Sequence, residues 1–252
     1  MTGHLRLALD GPRATITLDR PDKHNMLETA DLGHLGALLA QVEADPAVRV
    51  MVLTGSGDKS FCSGFAHGDV YDTDWRHNPI EAVITQLEDI TRPTICTLNG
   101  AVYGAAADLA LACDFRIGVT GMKLMLPAAK LGVMYNVGGM RRIAARLGPG
   151  PARRLLLAVE TMDADELHRI GYLDWLVAPD DLARRTDALA HTLAGLAPLA
   201  VEGMKRALVA IERGTLDEDR TNQKILATFA SDDLAEGLKA FASKRRPRFT
   251  GQ

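Results

Sequence analysis

The chain has 252 residues, 47% of them hydrophobic, and a formal net charge of −3 at pH 7. This length allows one large domain, or one domain with an appendage, and provides enough apolar residues for a sizeable core. Acidic and basic residues are interspersed, which argues against a nucleic-acid surface. No apolar run has membrane-spanning length, so no membrane association is expected. The three cysteines lack metal-binding spacing, and we expect a reduced, cytoplasmic protein.

The first half of the chain alternates strand patterns with helix patterns. Two alternating stretches flank the turn residues Asp10-Gly11, as in a β-hairpin. Strands are predicted at residues 5–9, 14–18, 48–54, 93–98, 114–119 and 123–126, and helices at 28–43 and 79–90. Strands that alternate with helices indicate right-handed crossovers and a largely parallel sheet.

The second half of the chain is mainly helical. Pro149-Gly150-Pro151 is expected to interrupt the helical pattern. Helices are predicted at residues 140–147, 152–159, 163–170, 182–196, 199–213, 216–229 and 232–243. The sequence therefore predicts an α/β core over residues 1–197 and a helical region over residues 198–252.

One stretch, residues 99–114, joins a buried strand to a helix through small residues. Gly104 and Ala105 open the helix, where unpaired backbone N–H groups suit a developing negative charge. Asp108 follows three residues after Ala105, nearly on the same helix face. These residues indicate either an acid/base site beside an anion-binding backbone or a packed helix whose aspartate complements the helix dipole.

Five motifs in order resemble the enoyl-CoA hydratase/isomerase family, the crotonase superfamily. They are Arg20-Pro21 through Leu27, Phe61-Cys62-Ser63-Gly64-Phe65, the stretch 99–114, Leu131-Gly132-Val133 through Gly139, and Gly237 through Pro247. The resemblance implies an α/β fold, a ClpP-like spiral of ββα units. It also implies that the C-terminal helices support trimerisation and cover the active site, in homotrimers or hexamers, and that the ligand is an acyl-CoA thioester.

The resemblance also implies site residues. The backbone N–H groups of Phe65 and Ala105 would form an oxyanion hole, with Gly64 and Gly104 allowing close approach. Asp108 matches the first of the two glutamates that hydratases of the family use, whereas Ala128 replaces the second. Hydration by two carboxylates is therefore in question, and Asp108 is left as a single acid/base.

The third loop motif resembles that of methylmalonyl-CoA decarboxylase, in which a tyrosine at the position of Tyr135 orients the departing carboxylate. Tyr135 could equally be a packed ring with a satisfied hydroxyl. That subfamily has a histidine where this chain has Phe65, and His67 lies two residues further on, where a solvated position is expected. Asn136 is expected to cap the following helix. The missing carboxylate also leaves open a non-catalytic acyl-CoA-binding protein.

Coenzyme A contacts are implied at Lys23 and His24 in the first loop and at Phe241 and Lys244 near the C-terminus, in part from a neighbouring subunit. The alternatives are exposed loop residues and an amphipathic helix that ends in basic residues. The acidic residues Asp69, Asp72 and Asp74 lack metal-ligand spacing, so no metal is expected. No cofactor is expected either, since coenzyme A would be part of the substrate.

Overall fold

Three consecutive ββα units form the centre of the molecule in a computed structural model that describes residues 4–66, 68 and 74–252. The first unit contains β3 (Val50–Gly55), β4 (Ser60–Cys62) and α2 (Pro79–Asp89). The second contains β5 (Thr94–Leu98), β6 (Ala101–Tyr103) and α3 (Ala105–Leu111). The third contains β7 (Phe115–Val119), β8 (Lys123–Met125) and α4 (Val137–Leu147). Each unit contributes one strand to each of two sheets.

The larger sheet has six strands, which include β1 (Leu5–Asp10), β2 (Arg13–Leu18) and β10 (Trp175–Val177). Their order is β1-β2-β3-β5-β7-β10. The hairpin of β1 and β2 is antiparallel, and β2, β3, β5, β7 and β10 run parallel. All five residues of β5 are buried, as expected for a central strand covered on both faces. The predicted parallel sheet is therefore confirmed, with one antiparallel edge.

The smaller sheet has four strands in the order β4-β6-β8-β9, where β9 is Met162–Asp163. The pairing of β4 with β6 is parallel, with Ser60 opposite Ala101 and Cys62 opposite Val102. The carboxyl ends of the two strands therefore lie side by side. This places the loop that contains Gly64 against the start of α3.

The remaining helices cover the sheets and extend to the C-terminus. They are α1 (Thr29–Ala44), α5 (Pro149–Leu156), α6 (Ala164–Arg169), α7 (Leu182–Ala194), α8 (Pro198–Arg213), α9 (Glu218–Phe229) and α10 (Asp232–Ala242). Helix α7 buries Leu189 and Leu193 against Val50, Val52 and Ile95 of the large sheet. Helix α8 is fixed to the core by the buried Lys205 ammonium, which lies 2.7 Å from an Asp114 carboxylate oxygen and 2.9 Å from the Arg92 carbonyl oxygen.

The structure differs from the predicted elements in two respects. The predicted break in the helical pattern is present but lies at Gly148, which has a φ of +79°, and Pro149 occupies the first turn of α5, where its missing N–H costs no hydrogen bond. Four short strands, β4, β6, β9 and β10, were not predicted, since two or three residues show little alternating pattern, although the equally short β8 was predicted at residues 123–126. The division at residue 197 stays a prediction, although α8, α9 and α10 do lie in the region predicted to be helical.

In the described part of the chain, no helix combines the length and the apolar character that crossing a membrane requires.

Candidate active site

Gly64 allows the loop after β4 to approach the N-terminus of α3. Its φ of +92° favours glycine, and a methyl group there would lie 2.8 Å from the Tyr103 carbonyl oxygen and 3.5 Å from the Ala105 nitrogen. Gly104, with a φ of +58°, makes the corresponding turn into α3. The two glycines therefore bring two backbone turns together with no side chain between them.

Each of these turns presents a backbone N–H group that has no acceptor among the described residues. Leu27 donates to the Gly64 carbonyl and Ala66 donates to the Leu27 carbonyl, so the Phe65 N–H lies between these two bonds. Ala105 is the first residue of α3, where an N–H has no partner within the helix. Within the described residues, neither the Phe65 nor the Ala105 N–H donates to a protein group. Both are available to an oxygen atom of a ligand.

A small pocket lies beside these two residues. Among the described residues, its lining is entirely apolar and consists of Leu27, Leu32, Phe65, Ile80, Val83, Ile84, Ala105 and Leu109. The Phe65 ring also packs edge-on against Trp75, with ring centroids 6.3 Å apart. A ligand that places an oxygen between the two N–H groups would have an apolar space for a neighbouring hydrocarbon group.

Asp108 is fully buried and faces α4 rather than the pocket. Its two carboxylate oxygens accept from Arg142, at 2.6 Å from Nε and 2.9 Å from Nη2. Arg142 is fully buried as well. Burial lowers the pKa of Arg142, but Asp108 and Glu88 together raise it above its ordinary value. The structure therefore places the carboxylate in a bidentate ion pair beside the pocket wall.

Glu88, on α2, holds the other side of Arg142. Its Oε2 accepts from Arg142 Nη1 at 3.2 Å, from Arg141 Nη2 at 2.9 Å and from Arg213 of α8. Its Oε1 is buried without a hydrogen-bond partner in the described part of the chain. Burial raises the pKa of Glu88, but the hydrogen bonds from Arg213 and Arg141 and the charge of Arg142 bring it below its ordinary value.

Tyr135 lies between Asp108 and the start of α3. Its hydroxyl donates to the Gly104 carbonyl at 3.2 Å. Burial, and then the negative charge of Asp108, raises the pKa of Tyr135 well above its ordinary value, so the phenol keeps its proton. Gly139 makes this packing possible, because a methyl group there would lie 2.5 Å from the Tyr135 ring and 2.8 Å from Asp108 Oδ2.

Comparison with known proteins identifies the family. The family model described as enoyl-CoA hydratase/isomerase matches residues 13–252. The chain belongs to the enoyl-CoA hydratase/isomerase family. It is 33% identical over 262 residues to a carnitinyl-CoA dehydratase of Salmonella arizonae and 32% identical over 263 residues to that of Proteus mirabilis, with 100% of both chains covered in each case. A crystal structure of enoyl-CoA hydratase from Bacillus anthracis has a TM-score of 0.90 and 28% identity, covering 99% of this chain and 100% of that one.

The enoyl-CoA hydratase/isomerase fold confirms the predicted spiral of ββα units, and the family confirms the resemblance seen in the sequence. Within this fold, the structure brings together Gly64, Phe65, Gly104 and Ala105, and their role as an oxyanion hole stays a prediction. Asp108 and Tyr135 lie next to this group, and their roles in catalysis stay predictions. Asn136 caps α4, and its side chain accepts from the Gly139 N–H at 2.6 Å.

The residues predicted to contact coenzyme A lie at two exposed positions. His24 adopts a left-handed backbone conformation after the short 3-10 helix Pro21–Lys23, and its Nδ1 lies 2.8 Å from Ser60 Oγ. Phe241, at the end of α10, is 87% exposed, and Lys244 follows it with a φ of +51°. A role for Lys23, His24, Phe241 and Lys244 in nucleotide binding stays a prediction.

The predicted absence of a metal site rests on ligand spacing. His67, Asp69 and Asp72 lie outside the described residues. The Asp74 carboxylate already contacts two side chains: its Oδ1 lies 2.9 Å from Arg76 Nε, and its Oδ2 lies 3.1 Å from His77 Nδ1.

One described group, His4 with Glu28 and Asp31, has a geometry that could hold a metal ion. The Glu28 and Asp31 side chains already cap α1, and Glu28 also pairs with Arg20 at 2.6 Å. These residues therefore serve to cap the N-terminus of α1.

Sequence reasoning did not identify Arg142 or Glu88. The available signal was an unusual pair, Arg141-Arg142, one residue after Gly138-Gly139 in a helix that must pack closely on the core. Glu88 gave no such signal, because a glutamate near the end of an amphipathic helix is ordinarily exposed.

Proposed function

We propose that the chain is an acyl-CoA enzyme that stabilises an enolate of the thioester through the N–H groups of Phe65 and Ala105. The observation that carries this proposal is the pair of unused N–H groups at the edge of an apolar pocket. Fixed backbone donors aimed at a developing oxyanion are a major source of catalysis, and losing one typically costs about 10²–10³-fold in rate. The family and the names of the relatives support an acyl-CoA substrate.

The reaction we propose first is of the hydratase type, a lyase reaction on an enoyl-CoA, or a double-bond isomerisation. Asp108 would move the proton, since Ala128 supplies no second carboxylate. The relatives named carnitinyl-CoA dehydratase support a lyase. To accept a proton, Asp108 has to share or loosen the bidentate ion pair with Arg142.

One observation favours a second candidate, a decarboxylase of the methylmalonyl-CoA type. The protonated Tyr135 hydroxyl donates to the carbonyl of Gly104, the residue before Ala105. From this position the hydroxyl can instead donate to a carboxylate of the substrate. Breaking the bond to the carboxylate releases CO2 and leaves the electron pair on the thioester as an enolate. The Phe65 and Ala105 N–H groups stabilise that enolate, and no general base is needed.

We further propose that Lys23, His24, Phe241 and Lys244 bind the coenzyme A portion and that Gly64 and Gly104 line its path. No metal and no cofactor beyond the substrate enters this scheme, and a cytoplasmic enzyme fits it best.

Product analysis separates these candidates. The protein is incubated with crotonyl-CoA and with methylmalonyl-CoA, and the products are identified by mass. Hydration of crotonyl-CoA that falls at least 100-fold in Asp108→Asn would support the first candidate, and undiminished turnover would rule out that role for Asp108. The exposed Asp10→Asn serves as a matched control.

Decarboxylation that is lost in Tyr135→Phe supports the second candidate. Tight binding of coenzyme A esters without turnover of either substrate instead supports a non-catalytic acyl-CoA-binding protein. Both variants require a melting curve, because Asp108 is buried in an ion pair.

A further inference from the structure

Arg142 lies between two carboxylates that come from different helices. It donates two hydrogen bonds to Asp108 of α3 and one to Glu88 of α2. All three side chains are buried, so their charges are poorly screened. In such a cluster, the charge state of one carboxylate depends on how strongly the other holds the shared guanidinium.

We propose that Glu88 and Arg142 are positioning residues that set the pH at which Asp108 accepts a proton. If Asp108 becomes protonated while paired with Arg142 alone, a buried guanidinium is left without a counter-charge, which is strongly unfavourable. Glu88 already accepts from the same guanidinium and so provides that counter-charge. Its second oxygen, buried and unpartnered in the described chain, can accept a further bond when Arg142 moves. This inference rests on the proposed function.

The groups around the pair come from several elements. Glu81 of α2 lies beside Arg142: its Oε1 accepts from the Gly138 N–H at 2.9 Å, and a methyl group on Gly138 would lie 2.6 Å from Glu81 Oε1 and 3.0 Å from Arg142 Nη2. Arg142 faces Asp108 from α4, and Tyr135 and Tyr172 face it as neutral phenols whose pKa values burial raises well above their ordinary values. Behind Arg142, Glu88 contacts Arg141 and Arg213, and Arg213 also pairs with Asp89 at 2.7 Å. The cluster extends in this way from the pocket wall to the end of α8.

Glu88 and Arg213 carry opposite charges, so their neutralisation gives opposite expectations. In Glu88→Gln the negative charge disappears, Asp108 stays ionised to lower pH, and the acidic limb of kcat/KM moves down by about one pH unit. In Arg213→Met a more distant positive charge disappears, and the same limb moves up by about 0.3 of a pH unit. A loss of structure in both variants would not move the acidic limb of kcat/KM down in one and up in the other.

A third variant tests the positioning of Asp108. Arg142→Lys keeps the charge but loses the bidentate geometry, so kcat falls about tenfold or more. KM stays within twofold, because Arg142 does not line the pocket.

The experiment measures kcat and KM for crotonyl-CoA from pH 4.5 to 9 for the wild type and the three variants. Two control variants remove the same charges at exposed positions outside the cluster: Arg206→Met on α8 and Glu218→Gln on α9. Both are expected to leave the pH profile unchanged. Melting curves confirm that each variant is folded, and Arg213, which is partly exposed, remains testable if the buried variants do not fold.

Two results overturn the inference. If the wild type turns over crotonyl-CoA and Asp108→Asn does not, but the limb stays in place in Glu88→Gln and Arg213→Met, only the network is wrong. If the wild type turns over nothing, or Asp108→Asn is fully active, the proposed role of Asp108 is wrong and the network fails with it.

Discussion

At the scale of single residues, Gly64 controls the approach of the two N–H donors. Alanine would need a φ of +92° and would place its methyl group 2.8 Å from the Tyr103 carbonyl oxygen. The loop has to move by several tenths of an ångström, and the Phe65 N–H moves with it. We expect Gly64→Ala to lose about 10²–10³-fold in kcat on crotonyl-CoA, comparable to removal of one oxyanion donor. Steady-state kinetics on a variant with an intact melting transition measure this loss.

Gly121 provides a matched control for this substitution. Its φ is +83°, and a methyl group there would meet no atom within 4 Å. Gly121→Ala therefore carries a similar backbone strain, of order 1–2 kcal/mol, without moving the site. Equal losses of activity in both variants would show that general destabilisation, rather than displacement of the Phe65 N–H, explains the effect.

The residues of the site differ in how far they could be predicted. Phe65 and Ala105 follow glycines in motifs that the sequence displays directly, and the structure brings them together. The ion pairs of Arg142 with Asp108 and Glu88 join residues 34 and 54 positions apart, so no local pattern encodes them. Asp108 therefore appeared in the sequence as a lone carboxylate, whereas in the structure it is one member of a buried charge cluster.

At the scale of elements, α8 depends on one buried ammonium. Lys205 Nζ contacts Asp114, the Arg92 carbonyl and the Thr94 hydroxyl, at 2.7 Å, 2.9 Å and 3.4 Å. Lys205→Met keeps the aliphatic stem but leaves the Asp114 carboxylate without its counter-charge. We expect the free energy of unfolding to fall by about 3 kcal/mol, measured by urea denaturation.

The neighbouring Arg206 is exposed on the same helix, and Arg206→Met is expected to change the free energy of unfolding by less than about 0.5 kcal/mol. A similar small change in Lys205→Met would mean that the other contacts of α8, including the ion pairs of Arg213 with Glu88 and of Glu202 with Arg92, are sufficient to hold it.

Elements with a long apolar period could be predicted, whereas the short strands, apart from β8, could not. Helices α1, α2 and α8 begin within one residue of the predicted positions because several turns repeat the same pattern. Strands β4 and β6 have three residues each, and they form because the adjacent strands of the large sheet align the chain. Since these two strands position the donor loops, the part of the fold that matters most for the site was the least visible in the sequence.

At the scale of the whole molecule, the three C-terminal helices expose apolar residues at helical spacing. Helix α8 exposes Met204, Leu208 and Ile211, α9 exposes Ile225, Leu226 and Phe229, and α10 exposes Leu234, Leu238 and Phe241. Stripes of this kind in a folded chain indicate a surface that is covered in an assembly. Charged residues at such positions would be expected if the chain functioned as a monomer.

We therefore expect a homotrimer or a hexamer in solution, as the family resemblance implies. Light scattering coupled to size-exclusion chromatography gives the mass directly from the 27.1 kDa of one chain. Leu226→Asp places a charge within the stripe of α9 and is expected to shift the protein to smaller species, because burying an unpaired carboxylate costs several kcal/mol per interface. Leu9→Asp changes an exposed leucine of β1, outside these helices, and should leave the mass unchanged. A wild-type mass of one chain would show that the C-terminal stripes do not mediate assembly.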